Sequence, residues 1–344
     1  MRTHDQLLRD AAAAGFAPEP YEKVEWLLEL LSGLASHPYL KERLALKGGT
    51  ALNLFVFDAP RLSVDIDLNY IGAADRETML AERPRVEQAV EAVCGRLGLQ
   101  VRRVPSDHAG GKWRLSYTTT SGRPGTIELD LNFLLRTPLW PVTVMEARWP
   151  SAIEPVRCPV LDVHEIAVGK LAALFGRSAG RDLYDAVRIL EEAALDRDRL
   201  RLGFAVYGAS SRRDWREVSM EALSAEPAEI ERHVLPMLRA DARPPADRID
   251  EWVADLMGRA RKALKLVLPL ADHESEFVRL VNEEGVIRAS LLTEDSAMQR
   301  TIEGHPALLW KTQNVREYRS RNALGESDRS SSSSSSSSRG GDTR

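Results

Sequence analysis

Residues 46–68, LKGGTALNLFVFDAPRLSVDIDL, constrain the fold of this chain more than any other segment of the sequence. The second half of the segment alternates polar and aliphatic residues, and a period of two is typical of a β-strand with one buried face. The aliphatic face carries Leu62, Val64, Ile66 and Leu68. The opposite face carries Ser63, Asp65 and Asp67. The pattern therefore predicts a strand that presents two neighbouring carboxylates on its polar face.

The two aspartates suggest a metal site. Residues two apart on a strand project to the same face at about 6 to 7 Å, so the carboxylates of Asp65 and Asp67 repel each other unless a cation lies between them. Carboxylate oxygens are hard ligands that favour Mg²⁺, with Mn²⁺ as an alternative. A solvated strand face would also explain an isolated Asp-x-Asp pair, but the residues before the strand favour a metal.

The double glycine before the apolar run suggests a phosphate site. Gly48 and Gly49 allow close approach of main-chain N–H groups, and Thr50 can cap a helix that begins at Ala51. Such a helix start attracts phosphate, although a tight turn before a helix would use the same residues. Main-chain N–H groups that bind phosphate, placed beside paired aspartates, can hold a nucleoside triphosphate (NTP) with its magnesium ions. The combination predicts phosphoryl or nucleotidyl transfer.

A third acidic position lies on a later strand. The segment TIELDLNFL, at residues 126–134, places Glu128, Asp130 and Asn132 on one polar face. The turn SGRPG predicts a hairpin between this strand and the preceding WRLSYTTT. Asp130 could act as a base on an attacking hydroxyl or bind a second metal ion, and the alternative is an exposed acid on a strand.

Two positions in the second half of the chain extend the candidate site. Lys170 falls on the apolar stripe of its helix, which predicts an inward-pointing ammonium group that can neutralise triphosphate charge. A lysine snorkelling from the edge of the stripe is the alternative. Asp182 and Asp185 share a helical face at i and i+3, and an ion pair between Arg181 and Asp185 would explain that spacing equally well.

The order of these patterns predicts an α+β protein. At 344 residues the chain is long enough for two subdomains and an appendage. We interpret residues 1–150 as a nucleotide-binding core with N-terminal helices, since strand and helix patterns mix there. Helical periodicity dominates residues 151–324, which we expect to complete the nucleotide cleft. The serine-rich residues 325–344 have nothing to bury and are expected to be disordered.

The overall charge gives no pull toward nucleic acid. The formal net charge is -4 at pH 7, so a polyanionic substrate must meet a local basic patch. Candidates for an RNA-binding patch are Arg212, Arg213, Arg259, Arg261, Lys262 and Lys265. Each of them could equally belong to a solvated face.

Membrane and disulfide chemistry are not expected. No apolar run reaches the roughly 18 residues that span a bilayer, and the start of the chain lacks the apolar core of a secretion signal. We therefore expect a cytoplasmic protein with no membrane partner. Cys94 and Cys158 stand alone without CxxC spacing, which predicts two buried apolar side chains rather than a disulfide or a zinc site.

Several separated motifs resemble the AbiEii/AbiGii family of toxin nucleotidyltransferases, which includes MenT-like toxins and belongs to the DNA polymerase β-like superfamily. Residues 48–68 are similar to the family's GGT motif followed by R-x-S-x-D-[IL]-D. HEIAVGKLAALFGR is similar to its glutamate and lysine helix, and GRDLYD to the motif with a last essential aspartate. The matching positions are Arg61, Ser63, Asp65, Asp67, Glu165, Lys170 and either Asp182 or Asp185. One departure is Gly169, because relatives more often carry glutamate there.

The resemblance implies a polymerase β-like core, with a small mixed sheet and helices, followed by a mostly helical C-terminal domain. It implies that Asp65 and Asp67 hold magnesium, and that Arg61, Ser63 and the GGT turn bind the nucleotide phosphates with Lys170. It also implies a toxin of a toxin–antitoxin or phage-defence system, with an antitoxin encoded nearby. Such a toxin would transfer a nucleoside monophosphate from an NTP to RNA, with the tRNA acceptor end as the expected target, and thereby block translation.

Two other functions fit the same motifs. Nucleotidyl transfer to a small molecule, as in antibiotic-modifying members of the superfamily, is compatible with the mildly acidic chain. A non-catalytic nucleotide-binding interaction protein would keep the fold without the chemistry. The intact DID sequence, Lys170 and the RDLYD motif argue against the latter.

Overall fold

A computed structural model of the chain describes residues 3–104, 110–149, 155–177 and 179–333, without the side chains of 102–104 and 323–333. The strands within these residues are β1 (Leu44–Lys47), β2 (Asp65–Tyr70), β3 (Gln100–Val104), β4 (Gly110–Thr118), β5 (Pro124–Asn132), β6 (Thr143–Glu146) and β7 (Arg157–Val160). The α-helices are α1 (His4–Ala13), α2 (Pro18–Ser36), α3 (Gly48–Ala51), α4 (Arg76–Arg96), α5 (Val163–Arg177), α6 (Gly180–Glu192), α7 (Arg197–Ser210), α8 (Pro227–His233), α9 (Ile249–Ala263), α10 (Asp272–Arg279), α11 (Ser296–Glu303) and α12 (Pro306–Ser333).

The strands form one mixed sheet in the order β3-β4-β5-β2-β1-β7-β6. β2 pairs in parallel with β5, and β1 pairs in parallel with β7, whereas the other neighbours are antiparallel. The predicted hairpin is present, because β4 and β5 pair from Gly110 opposite Asn132 to Thr118 opposite Pro124. The predicted α+β class is confirmed, with a small mixed sheet followed by a largely helical region.

One strand lies in the half of the chain that we expected to be helical. β7 pairs with β1 and β6, so the sheet takes one of its inner strands from beyond residue 150. A strand of four residues carries too few side chains for a period-two pattern to be visible in the sequence. Only its pairing with two neighbours identifies it.

The aliphatic face of the sheet is covered by α2. Leu46 and Leu68 lie opposite each other on β1 and β2, and together with Leu31 and Leu34 of α2 they line one small apolar cavity. Cys158 also lies there and, like Cys94, is buried and free as predicted. Burying aliphatic side chains on this face leaves the opposite, polar face of β2 available for the candidate site.

The helical region packs around α5. This helix contacts α6 and α7, while α6 also contacts α9 and α7 also contacts α12. The backbone of α12 is helical as far as Ser333, which includes the first part of the segment that we expected to be disordered. Residues 334–344 of that segment lie outside the described residues. Within the described residues, the helices are too short or too polar to cross a membrane.

Candidate active site

Four carboxylates lie side by side on β2 and β5. Because these strands are parallel and in register, Asp65 lies beside Glu128 and Asp67 lies beside Asp130. Ser63 falls just before β2, which begins at Asp65. The polar face predicted from the sequence is therefore real over Asp65 and Asp67, and the fold places Asp130 next to it.

The glycine turn packs directly against the Asp67 carboxylate of β2. Gly48 has a φ of 73°, a left-handed conformation that favours glycine, and a Cβ there would lie 2.2 Å from Oδ2 of Asp67. A Cβ on Gly49 would lie 2.6 Å from Oγ of Ser63 and 3.3 Å from Nζ of Lys170. The turn is thus a close-fitting backbone cradle between a carboxylate and an ammonium group.

Gly48→Ala should remove most of the nucleotidyl transfer that the sequence motifs predict, because the added methyl group displaces the Asp67 carboxylate in addition to straining the backbone by about 1 to 2 kcal/mol. Gly98→Ala is the matched control, since Gly98 has the same φ of 73° but no atom near its missing Cβ. Thermal unfolding should show a similar small loss for both variants, with a steep loss of rate in Gly48→Ala alone. Equal rates would contradict the close fit.

The prediction that Thr50 caps a helix was wrong. The helix begins at Gly48, and Thr50 lies inside it rather than before it. The Thr50 hydroxyl is fully buried and donates a hydrogen bond of 2.5 Å to the main-chain oxygen of Asp65. Thr50 therefore fixes the start of β2 against the glycine turn, because a buried hydroxyl satisfies itself with the nearest free carbonyl.

Behind the cradle lies a buried cluster of charges centred on Asp185. Arg61 donates to it twice, from Nε to Oδ1 at 2.7 Å and from Nη2 to Oδ2 at 2.5 Å. Lys170 lies 2.7 Å from Oδ2 through its Nζ, and Asn53 donates to both Asp185 and the carbonyl of Gly49. Lys170 points inward, as its place on the apolar stripe predicts, and is 7% exposed.

The electrostatics of this cluster keep Asp185 ionised. Complete burial would raise the pKa of the carboxyl, but the adjacent guanidinium of Arg61 and ammonium of Lys170 hold it well below its usual range. The ion pair between Arg181 and Asp185 that spacing allowed does not form, because Nη1 of Arg181 instead lies 3.6 Å from Oδ2 of Asp65. Asp185 therefore anchors two positively charged side chains, those of Arg61 and Lys170.

Asp182 also pairs with a basic side chain, at the C-terminal end of α5. Arg177 donates to both of its carboxylate oxygens, at 2.5 and 2.9 Å, and the Nζ of Lys170 lies 3.9 Å away. Asp182 is fully buried. Both aspartates of the RDLYD motif thus hold basic side chains around Lys170, and neither contacts the acids of β2.

The β-sheet acids differ from one another in their surroundings. Burial raises the pKa of Asp65, an effect that Lys23 and Arg181 oppose and Asp67 reinforces. Burial likewise raises the pKa of Asp130. The pKa of Glu128 is lowered, chiefly by its hydrogen bond with Lys112.

Asp65 and Asp67 fit a divalent cation whose remaining ligands come from the phosphate oxygens of a substrate. Asp65 and Asp67 offer hard oxygen ligands on one face, and their mutual repulsion is relieved by a cation. Among the described residues, no three acidic, histidine or cysteine side chains gather around one metal-sized position. Mg²⁺ commonly takes one or two carboxylates together with substrate phosphate oxygens, which is the kind of donor set that this face and the glycine cradle provide.

Sequence reasoning missed several members of the site. Asn53 is fully buried in the apolar run ALNLF, and a polar residue in such a run was the available signal. Arg177 and Arg181 carried no signal beyond their nearness to the RDLYD motif.

Glu165, named by the resemblance, is buried beside Tyr207 and the main chain of Leu139. Burial raises its pKa to about 7, and its contacts stabilise helix packing behind the site.

The candidate RNA-binding residues lie in two places: Arg212 and Arg213 follow α7, and the other four lie on or just after α9. Arg213 donates from Nη1 to the carbonyl of Phe175, at the end of α5 that carries Arg177. Arg259 pairs instead with Glu191 at the far end of α6. The remaining candidates are all exposed: Arg212, Arg261, Lys262 and Lys265.

Comparisons with known proteins identify the family and the fold of the chain. A family model described as nucleotidyl transferase AbiEii toxin, type IV toxin–antitoxin system, matches residues 29–265. Among solved structures, the chain is similar to MenT4, a nucleotidyltransferase toxin from Mycobacterium tuberculosis H37Rv, with a TM-score of 0.55 and 20% identity over 90% of this chain and 99% of that one. Comparison with curated protein sequences finds no match. The chain therefore belongs to the AbiEii family of nucleotidyltransferase toxins of type IV toxin–antitoxin systems.

Proposed function

We propose that this toxin transfers a nucleoside monophosphate from an NTP to RNA, with the tRNA acceptor end as the target, and so blocks translation in the cytoplasm. We further propose that it uses Mg²⁺, or Mn²⁺ in its place, and that a cognate antitoxin is encoded beside it. The observation that carries the proposal is the convergence at the glycine turn. Asp67 packs against Gly48, while Ser63 and Lys170 meet at Gly49.

The roles of the residues follow from their charges. Asp65 and Asp67 would hold the metal ion, which supplies Lewis-acid activation of the phosphates. The main-chain N–H groups at Gly48 and Gly49 would bind phosphate oxygens, together with the Ser63 hydroxyl. Lys170, held by Asp185, would neutralise charge that develops on the triphosphate during transfer.

The transfer itself needs a proton acceptor. A hydroxyl oxygen of the acceptor attacks the α-phosphorus, the bond from that phosphorus to the bridging oxygen breaks, and pyrophosphate leaves with the electron pair. Asp130 lies beside Asp67, and its raised pKa suits it to take the hydroxyl proton. Asp182 is paired with Arg177, so its part in this scheme is to position basic groups around Lys170.

The acceptor can be identified by labelling. Each of the four NTPs, labelled on the α-phosphate, should be incubated with the protein, MgCl₂ and unfractionated tRNA. We expect one or more of them to label RNA, and EDTA to abolish the labelling because the two β2 carboxylates then lack their cation. Absence of labelled RNA with every NTP would overturn the proposed acceptor. A labelled small molecule in its place would favour the antibiotic-modifying alternative.

A further inference from the structure

The candidate basic residues Arg212 and Arg213 adjoin a second exposed feature, one side of α12, at the junction of α7 and α12. We call it the α12 surface and define it as Arg212, Arg213, Trp310, Asn314, Tyr318 and Arg321. The four α12 members are spaced by four, four and three residues, so they share one side of the helix. Trp310 is 46% exposed and Tyr318 is 62% exposed, which is unusual for large aromatic side chains.

Direct contacts join this surface to the candidate active site. Lys311 donates from Nζ to the carbonyl of Ser211 at 2.7 Å, which fixes α12 beside Arg212. Arg213 donates to the carbonyl of Phe175 at 3.1 Å. Phe175 lies five residues beyond Lys170 on α5, about 8 Å along the helix axis. These contacts connect α12, through residues 211–213, to the C-terminal end of the helix that carries Lys170.

Basic side chains outnumber acidic ones along the described part of α12. Residues 306–322 contain four basic side chains and a single acidic one, Glu317. Arg316 and Arg319 lie on the other side of α12, where they donate to the main-chain carbonyls of Gly285 and Glu283. The basic cluster on α9 is different, because there Arg259 pairs with the carboxylates of Glu191 and Asp255.

We propose that the α12 surface binds the acceptor RNA of the transfer reaction, an inference that rests on the proposed function. Trp310 and Tyr318, about 12 Å apart along the helix, offer faces on which unpaired bases stack, and Arg212 and Arg213 contact the phosphates between them and the cleft. A protein partner fits less well, because Asn314 lies between the two aromatics and Arg321 follows them, so this side of the helix carries no continuous apolar stripe.

The experiment measures binding of unfractionated tRNA to the full-length protein, by fluorescence anisotropy at several salt concentrations. Trp310→Ala combined with Tyr318→Ala should weaken binding by about 10- to 100-fold. Arg212→Ala should weaken binding less and lower the slope of log affinity against log salt by about 1. Leu309→Ala is the matched control, because Leu309 is 48% exposed but lies on a different side of α12.

The outcomes separate this inference from the proposed function. If wild-type protein neither binds nor labels RNA, the proposed function fails. If wild-type protein labels RNA but the aromatic double variant binds it as tightly as Leu309→Ala does, the α12 surface is not the RNA site. If the aromatic double variant lost binding to the purified antitoxin but kept its affinity for RNA, that result would also overturn the inference. Circular dichroism and thermal unfolding of each variant exclude misfolding as the cause.

Discussion

Asp67→Ala is expected to lower the rate of nucleotidyl transfer by about 10³-fold or more. The Asp67 carboxylate packs against the left-handed Gly48 and lies beside Asp130. Without it, Asp65 would be the remaining carboxylate on β2 to bind the cation. The measurement is the initial rate of incorporation of labelled nucleotide into tRNA, the proposed acceptor, at saturating NTP.

The control for this variant is Asp58→Ala. Asp58 belongs to the same segment of the chain, but its side chain is 83% exposed and contacts the exposed Arg148. Its replacement should change the rate by less than about twofold, in line with a surface ion pair that contributes little. Expression of each variant in cells then tests toxicity. Growth arrest that persisted with Asp67→Ala, after transfer activity was lost, would indicate a toxin that acts by binding alone.

The second large effect is on stability. Asp185→Asn should lower the free energy of unfolding by about 3 to 5 kcal/mol, because the change leaves the buried guanidinium of Arg61 without its counter-charge and the ammonium of Lys170 with only the more distant Asp182. Urea denaturation measures this loss. Arg248→Ala is a control for removing an ordinary ion pair, since Arg248 and Glu251 are both largely exposed. A loss of the same small size in both variants would contradict the assignment of Asp185 as the buried anchor.

The pH dependence of this difference follows from the pKa of Asp185. The pKa in the folded state is depressed, so the contribution of the ionised carboxylate is fully present above the unfolded value of about 3.9. It is lost as the pH falls from there toward the folded value. The difference in unfolding free energy between wild type and Asp185→Asn should therefore be constant from about pH 5 to 8 and shrink below about pH 4. A difference that grows on acidification would contradict this sign.

Local patterns were enough to predict most elements that build the site. The alternation around Asp65 and Asp67, the turn between β4 and β5, and the apolar stripe that includes Lys170 are all periodic over several residues. Because period and side-chain direction are coupled within one element, the sequence could indicate which residues share a face.

Partners from distant elements could not be predicted in this way. The sequence allowed Asp185 to pair with Arg181 four residues earlier, whereas in the structure it binds Arg61 and Lys170. Arg181 instead faces Asp65, and Thr50 bonds to the carbonyl of Asp65 rather than capping a helix. A charged group that becomes buried takes the partner that the packed elements bring to it, and sequence separation does not encode that distance.

By itself, the sequence determined a strand with two carboxylates, a glycine turn before it and an inward-pointing lysine on a later helix. These follow from short-range periodicity and from the conformations that glycine allows. The tertiary structure decided how the three meet. Parallel pairing of β2 with β5 brought Asp130 beside Asp67, and the packing of α5 and α6 behind the turn placed Lys170 at Gly49. Sheet order and helix packing are set by long-range burial of apolar faces, which no local pattern specifies.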